Sequence, residues 1–179
     1  MLTITIPESE GWDPVNEVFI STKAKKIVLE HSLVSVSKWE SRHKKSYFTN
    51  DKTLDEFIEY VRCMTITQNV PDEVYQFLTN ENLKSITDYI EDPMTATKID
   101  DSVKAYGVRP VLTSELIYYM MIANNIPFEC HKWHLNRLLM LIRVCNEKNQ
   151  PPKKVSMQEA AQRNREIKEA RRRAMKAKA

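Results

Sequence analysis

The stretch TSELIYYMMIANNIPFECHKWHLNRLLMLIRVCNEKNQPP, residues 113–152, decides the fold of this chain. Its pattern predicts two helices separated by a bend at residues 124–127, because the residue before a proline is disfavoured in the helical conformation. We expect the second helix to begin near Cys130 or His131. The two adjacent prolines at the end of the stretch prevent this helix from continuing.

Both predicted helices have wide apolar faces. Apolar residues recur at three- and four-residue spacing, which places them on one side of a helix. Thr113 or Ser114 is suited to cap the first helix. Helices this apolar are unstable alone in water, so we expect other segments to cover them. The apolar positions are Leu116, Ile117, Met120, Met121 and Ala123 in the first helix, and Leu135, Leu138, Leu139, Met140, Leu141, Ile142 and Cys145 in the second.

Residues 1–30 have the pattern of β structure. Leu2, Ile4 and Ile6 alternate with threonines, which is the period of a half-buried strand. We therefore predict a small sheet at the start of the chain. Its strands are expected at Leu2–Ile6, at 15–20 and at 26–30, with a turn-rich loop over 7–14.

The segment between the sheet and the central stretch is mostly helical by pattern. Residues 53–56 read TLDE, a capping box in which the Thr and Glu side chains each accept a hydrogen bond from the other residue's backbone N–H. A short helix is expected to open at Pro71 and another to be capped by Asn80. Residues 32–44 fit either a helix or a strand. Residues 92–112 are polar, and we expect an exposed loop or small hairpin there.

Composition favours a mainly α (α+β) fold. The 42% hydrophobic content supports a real core, and the two glycines argue against a glycine-rich phosphate loop. No apolar run reaches the roughly 18 to 20 residues that cross a bilayer, and the first residues lack a secretory signal. Three cysteines suit a reducing compartment. We predict a small β element over 1–30, a helical bundle domain over 31–152 and an extended basic helix over 153–179, in a cytoplasmic protein.

Charge is distributed unevenly between residues 1–152 and residues 153–179, and we call the second segment the basic tail. Residues 153–179 contain ten Lys or Arg and three Glu, a charge of +7, so the total of +3 leaves −4 for the first 152 residues. This asymmetry favours an acidic partner. It also leaves open contact with nucleic acid through phosphates, or a merely solubilising tail. The candidate partner-binding residues are Lys153, Lys154, Arg163, Arg165, Lys168, Arg171, Arg172 and Arg173.

The sequence supports an enzymatic function less strongly than it supports partner binding. Cys130 and His134 would lie one turn apart on a helix, and with Cys145 they resemble zinc ligands in type. However, no C-x-x-C pair accompanies them, and no orienting Asn or Asp motif supports a Cys–His nucleophile. The carboxylates are scattered over predicted helix faces. We therefore assign no catalytic, cofactor-binding or metal-binding residues and expect no cofactor.

Four stretches together carry a family resemblance. They are VSKWESRHKKSYF at 36–48, KTLDEFIEYVRCMTI at 52–66, NVPDEVYQFL at 69–78 and IPFECHKWHLNRLLMLIRVCNEKNQPPKKVS at 126–156. The Trp–Glu pair followed by a TLDEFIEY helix is similar to tail assembly chaperones of long-tailed bacteriophages. The resemblance covers residues 36–156 and contains no catalytic motif.

This resemblance implies a non-enzymatic function in virion morphogenesis. Proteins of this family keep the tape-measure protein soluble while the tail polymerises, and they often have a longer frameshifted form. The expected partners are thus the tape-measure protein or other tail proteins in the host cell cytoplasm, with a homo-oligomer left open and no membrane contact. The alternative is a structural virion protein, at the head–tail junction or on the capsid, whose basic tail contacts DNA or a neighbouring subunit. We also expect Trp39 and Glu40 to lie beside the helix that Thr53 opens, with Trp39 largely buried.

Overall fold

The computed structural model describes residues 1–13, 17–49, 52–98 and 111–149, together with 162, 164–169, 173 and 175. The fold is mainly α with a small antiparallel β part, as the sequence predicts. Contacts divide the chain into two compact units, Met1–Glu147 and Lys148–Ala179. The strands are β1 Leu2–Ile6, β2 Ser9–Asp13, β3 Val18–Thr22 and β4 Lys25–Leu29. The helices are α1 Leu33–His43, α2 Leu54–Met64, α3 Asn80–Glu91, α4 Ser114–Ala123 and α5 Leu135–Asn149, with short 3₁₀ helices at Asp72–Phe77 and Phe128–Lys132.

The four strands are the two halves of one long β-hairpin. β1 pairs antiparallel with β4, and β2 pairs antiparallel with β3. Both pairs keep a single register, in which Leu2 faces Leu29 and Trp12 faces Phe19. The ladder is interrupted after Ile6 at Pro7, which has no backbone N–H to donate. The hairpin therefore has a base, β1 and β4, and an outer part, β2 and β3.

The loop predicted over 7–14 is wrong, because β2 occupies most of it. The sequence SEGWD of this strand has no apolar alternation, so its own pattern does not predict a strand. Pairing with β3 along the hairpin holds it extended. A non-local partner has here overridden local propensity.

Residues 33–43 form helix α1, which settles the ambiguity over 32–44. Leu33, Val36 and Trp39 are all fully buried on its inner face. The Trp39 indole Nε1 donates a 2.9 Å hydrogen bond to the carbonyl oxygen of Glu56 in α2. The expectation that Trp39 is buried beside the helix opened by Thr53 is thus confirmed, as is the capping box that begins α2.

Two predicted helix starts are displaced. The hydroxyl of Thr79, not Asn80, caps α3, in a capping box with the Asn82 side chain. The second central helix begins at Leu135, five residues after Cys130, because a 3₁₀ helix intervenes. The Leu135 N–H donates to the carbonyl oxygen of His31 at 2.7 Å, which fixes this start against the residues before α1.

The central helices are less deeply buried than their apolar sequence predicts. In α5 only Leu135, Leu138 and Ile142 are buried, and in α4 only Ser114, Ile117 and Met121. Of the other positions on the predicted apolar faces, Ala123 is exposed and the rest are half-buried. Tyr119 and Ile122 of α4, which the pattern does not place on that face, are exposed as well. The core is instead completed by β1, β4, α1 and α2. It contains Ile4, Ile6, Ile27, Leu29, Leu33, Val36, Trp39, Tyr60, Val61 and Met64.

The expected polar loop over 92–112 is described only in part. Residues 93–98 and 111–113 contain no helix or strand, whereas 99–110 lie outside the described residues. Residues 156–159 read SMQE, a sequence that predicts a further capping box, and they also lie outside the described residues. Within the described part of the chain, no helix combines the length and the apolar character that a bilayer crossing requires.

Candidate functional site

The basic tail is the site that the sequence predicts most directly. Arg165, Lys168 and Arg173 lie at helical positions, and all three are exposed. Arg173 forms an ion pair of 3.9 Å with Glu169, one helical turn earlier. The other candidates, Lys153, Lys154, Arg163, Arg171 and Arg172, lie outside the described residues.

The Cys130–His134 cluster is arranged differently from the sequence expectation. Cys130 lies in a 3₁₀ helix and His134 just before α5, so they do not share one helix face. Both are buried, and the cysteines at 63, 130 and 145 are free thiols. Within the described residues no three His, Cys, Asp or Glu side chains are grouped so that they could hold a metal ion.

His134 instead belongs to a buried polar network that also contains Glu30, His31, Tyr60 and Tyr89. His31 Nδ1 and the Tyr60 hydroxyl share a hydrogen bond of 2.5 Å. His134 Nε2 donates to the carbonyl oxygen of Tyr89 at 2.9 Å, and the Tyr89 hydroxyl donates to Glu30 Oε1 at 2.8 Å. The two imidazole rings lie 5.1 Å apart. The network joins the segment before α1 to α2, α3 and the start of α5.

Burial keeps three side chains of this network uncharged, those of His31, Tyr60 and Tyr89. It lowers the pKa of His31 from 6.5 to about 3, with a further lowering from nearby His134. Burial also raises the pKa of Tyr60 and of Tyr89, and the hydrogen bond to Glu30 raises that of Tyr89 further. Buried hydrogen-bonded networks of this kind hold together the elements that contribute to them.

Glu40 forms a second buried connection. Its Oε1 accepts a hydrogen bond from the Tyr47 N–H at 2.9 Å, and its Oε2 accepts one from the Ser114 N–H at 2.7 Å. Ser114 is the first residue of α4, where backbone N–H groups lack helical partners and the helix dipole favours negative charge. Glu40 therefore anchors α4 to α1. This gives the Trp39–Glu40 pair a structural role.

Sequence reasoning missed the role of Glu40, although the sequence contains a sign of it. Glu40 follows Leu33 and Val36 by seven and four residues, which places it on the buried face of α1. A carboxylate on an apolar face needs a partner when it is buried. The spacing therefore predicts that Glu40 is buried and hydrogen-bonded. Its partners, the N–H groups of Tyr47 and Ser114, are known only from the tertiary structure.

One exposed candidate surface lies on the outer part of the hairpin, residues 9–13 and 17–22, which we call the arm. Its Trp12 and Phe19 are 53% and 82% exposed and pack edge to face, with ring centroids 4.9 Å apart. On the opposite face Gly11 lies so close to Phe77 that an added Cβ would be 2.9 Å from that ring. The arm thus contacts the 3₁₀ helix at 72–77 through one face and exposes aromatic rings on the other.

A second exposed surface, which we call the α4 patch, consists of Tyr119, Ile122 and Phe128. Their exposed fractions are 67%, 60% and 53%. Tyr118, on the preceding turn from Ile122, stacks on Phe128 with centroids 5.8 Å apart and so connects α4 to the 3₁₀ helix that follows. Exposed apolar groups that lie together are typical of protein interaction sites. The sequence does not predict that this patch is exposed, because its residues are as apolar as those of a core helix.

The chain was compared with known proteins at three levels. Neither the protein-family models, nor the curated proteins, nor the solved structures gave a match.

Proposed function

We propose that this chain is a non-enzymatic tail assembly chaperone that binds the tape-measure protein during phage tail morphogenesis. The observation that supports this function best is the α4 patch. It exposes Tyr119, Ile122 and Phe128 from the most apolar stretch of the chain. An elongated helical partner with an apolar stripe would cover such a patch, as amphipathic helices do in hydrophobic grooves.

The basic tail adds a second contact in this proposal. Its charge of +7 would attract acidic segments of a long helical partner. Exposed charges act over roughly a Debye length, about 8 Å at physiological salt, so this contribution weakens as salt rises. Burial of the α4 patch depends far less on salt. The two contacts are therefore separable by experiment.

The test is a co-expression pull-down of the candidate tape-measure protein at low and high salt. The double variant Tyr119→Ser with Ile122→Ser should lose binding at both salt concentrations. Neutralising Arg171, Arg172 and Arg173 should weaken binding at low salt alone. The matched control, Leu54→Ser with Ile66→Ser, removes two exposed apolar side chains elsewhere and should bind normally. Unchanged binding by the α4 patch variant would overturn the proposal.

The alternative, a structural virion protein, predicts a different fate for the chain. A chaperone leaves the completed tail, whereas a structural protein remains. Mass spectrometry of purified virions therefore distinguishes the two. Stoichiometric amounts of this chain in mature particles would favour the head–tail junction or capsid position.

A further inference from the structure

Positive charge is concentrated where β3 passes into β4. Residues 18–29 contain Lys23, Lys25 and Lys26 and no Asp or Glu, although residues 1–152 as a whole have a net charge of −4. None of the three lysines forms an ion pair with a described residue. Their charges are therefore available to an anion.

A groove of about 530 Å³ lies beside these lysines, between β3 and the 3₁₀ helix at 72–77. This volume is within the roughly 300 to 1,000 Å³ that is typical of small-molecule sites. Phe19, Pro71 and Val74 form its apolar lining. Phe19 is 82% exposed, so a flat apolar group that lies against its ring would remove apolar surface from water.

The polar lining of the groove consists mostly of hydrogen-bond donors. Lys23 and Lys25 can only donate, and Ser21 and Thr22 contribute hydroxyl groups. Among the described residues that line the groove, Glu73 is the one carboxylate. Two ammonium groups against one carboxylate leave a net positive charge. The lining therefore selects a ligand that brings acceptor oxygens and negative charge.

Thr22 gives an independent sign that a partner is missing. Its Oγ1 is buried and has no hydrogen-bond partner within the part of the chain that the structure describes. Buried polar groups nearly always have a partner, which is a protein group, a water or an ion. Rotation about the Cα–Cβ bond moves the hydroxyl between staggered positions, so an oxygen of a bound acid group could accept its hydrogen.

We propose that this groove binds a small organic acid, in which a phosphate or carboxylate is attached to a flat apolar group. The acid group lies between Lys23 and Lys25 and accepts hydrogen bonds from the neighbouring hydroxyl groups. The apolar group lies against Phe19 and Val74. The α4 patch contributes no residue to this groove, so the site is independent of the function proposed above.

The test is an NMR titration of the ¹⁵N-labelled full chain with phenyl phosphate, benzoate, inorganic phosphate and phenol. Phenyl phosphate or benzoate should shift the amide signals of residues 19–25 and 73–74. The dissociation constant should be on the order of 1 mM, which suits a ligand of about ten non-hydrogen atoms. Inorganic phosphate and phenol each contain half of the ligand and should bind at least about ten-fold more weakly. The tighter of the two acids identifies the acid group.

Four substitutions test the residues of the site. Lys25→Gln should weaken binding roughly five-fold, the upper value for an exposed ion pair. Glu73→Gln should strengthen binding, because it removes the opposing charge. Thr22→Val should weaken binding about five-fold without lowering the stability of the fold, because the hydroxyl that it removes has no partner in the free chain. Lys26→Gln, an equal charge change at the next residue and outside the lining, is the matched control and should bind as wild type does.

Two results would each overturn this proposal. One is an absence of shifts at residues 19–25 when the acids are far above the expected dissociation constant. Lys23 and Lys25 would then serve only to protect the edge of β3 from pairing with other strands. The other is equal weakening by Lys25→Gln and Lys26→Gln, with shifts spread over the basic tail, which would mean that the acids bind through net charge alone.

Discussion

The clearest consequence of the buried network is acid sensitivity that originates at His31. This side chain is 2% exposed, and it is surrounded by the rings of Tyr47, Tyr60 and His134. Burial lowers its pKa from 6.5 to about 3. As pH falls below 6.5, the unfolded chain takes up a proton at His31 while the folded chain does not. The free energy of unfolding must therefore decrease between pH 6.5 and the lowered pKa.

The magnitude follows from the width of that window. Each pH unit between the two pKa values changes the free energy of unfolding by about 1.4 kcal/mol. Lowering the pH from 7.5 to 5 should thus cost about 2 kcal/mol through His31 alone. This is a substantial part of the roughly 5 to 15 kcal/mol that stabilises a typical domain. Glu56, whose pKa is lowered mainly by its hydrogen bond with Lys45, loses its contribution only below its ordinary value of 4.5.

The assay is urea denaturation at pH 7.5 and pH 5. His31→Gln removes the titrating group, so its loss of stability between the two pH values should be about 2 kcal/mol smaller than that of wild type. Tyr60→Phe is the matched control. This variant removes the hydrogen-bond partner of His31 but leaves His31 buried. It should therefore lose as much free energy of unfolding between pH 7.5 and pH 5 as wild type does. Equal acid losses in wild type and His31→Gln would refute the assignment.

Three further predictions concern packing and anchoring. Leu135→Ala should lower the free energy of unfolding by about 2 to 5 kcal/mol, measured by thermal or urea unfolding. Leu139 is half-buried, so Leu139→Ala should lower it clearly less. Equal losses would mean that α5 is not oriented as described. Glu40→Ala leaves two buried N–H groups unpaired and should cost about 3 kcal/mol by the same measurement; a loss under 1 kcal/mol would show that water replaces the carboxylate. Gly11→Ala should destabilise the arm by about 1 kcal/mol through its clash with Phe77, and Phe77→Leu should relieve that cost; additive effects would contradict the contact.

The sequence predicts well those elements whose pattern is local. The capping box at Thr53 marks the start of α2, and the spacing of Leu33, Val36 and Trp39 gives the buried face of α1. β2 was missed because its extended form depends on pairing with β3. The start of α5 was misplaced because a hydrogen bond to His31, more than one hundred residues earlier, fixes it.

The candidate site shows the same limit. Charge counting identifies the basic tail, since charge is a property of composition. The α4 patch is not identified, because exposure of Tyr119 and Ile122 depends on what other elements leave uncovered. His31 and His134 are distant in sequence, and only the fold brings them together. Local patterns thus predict elements and charge, whereas surfaces and buried networks require the tertiary arrangement.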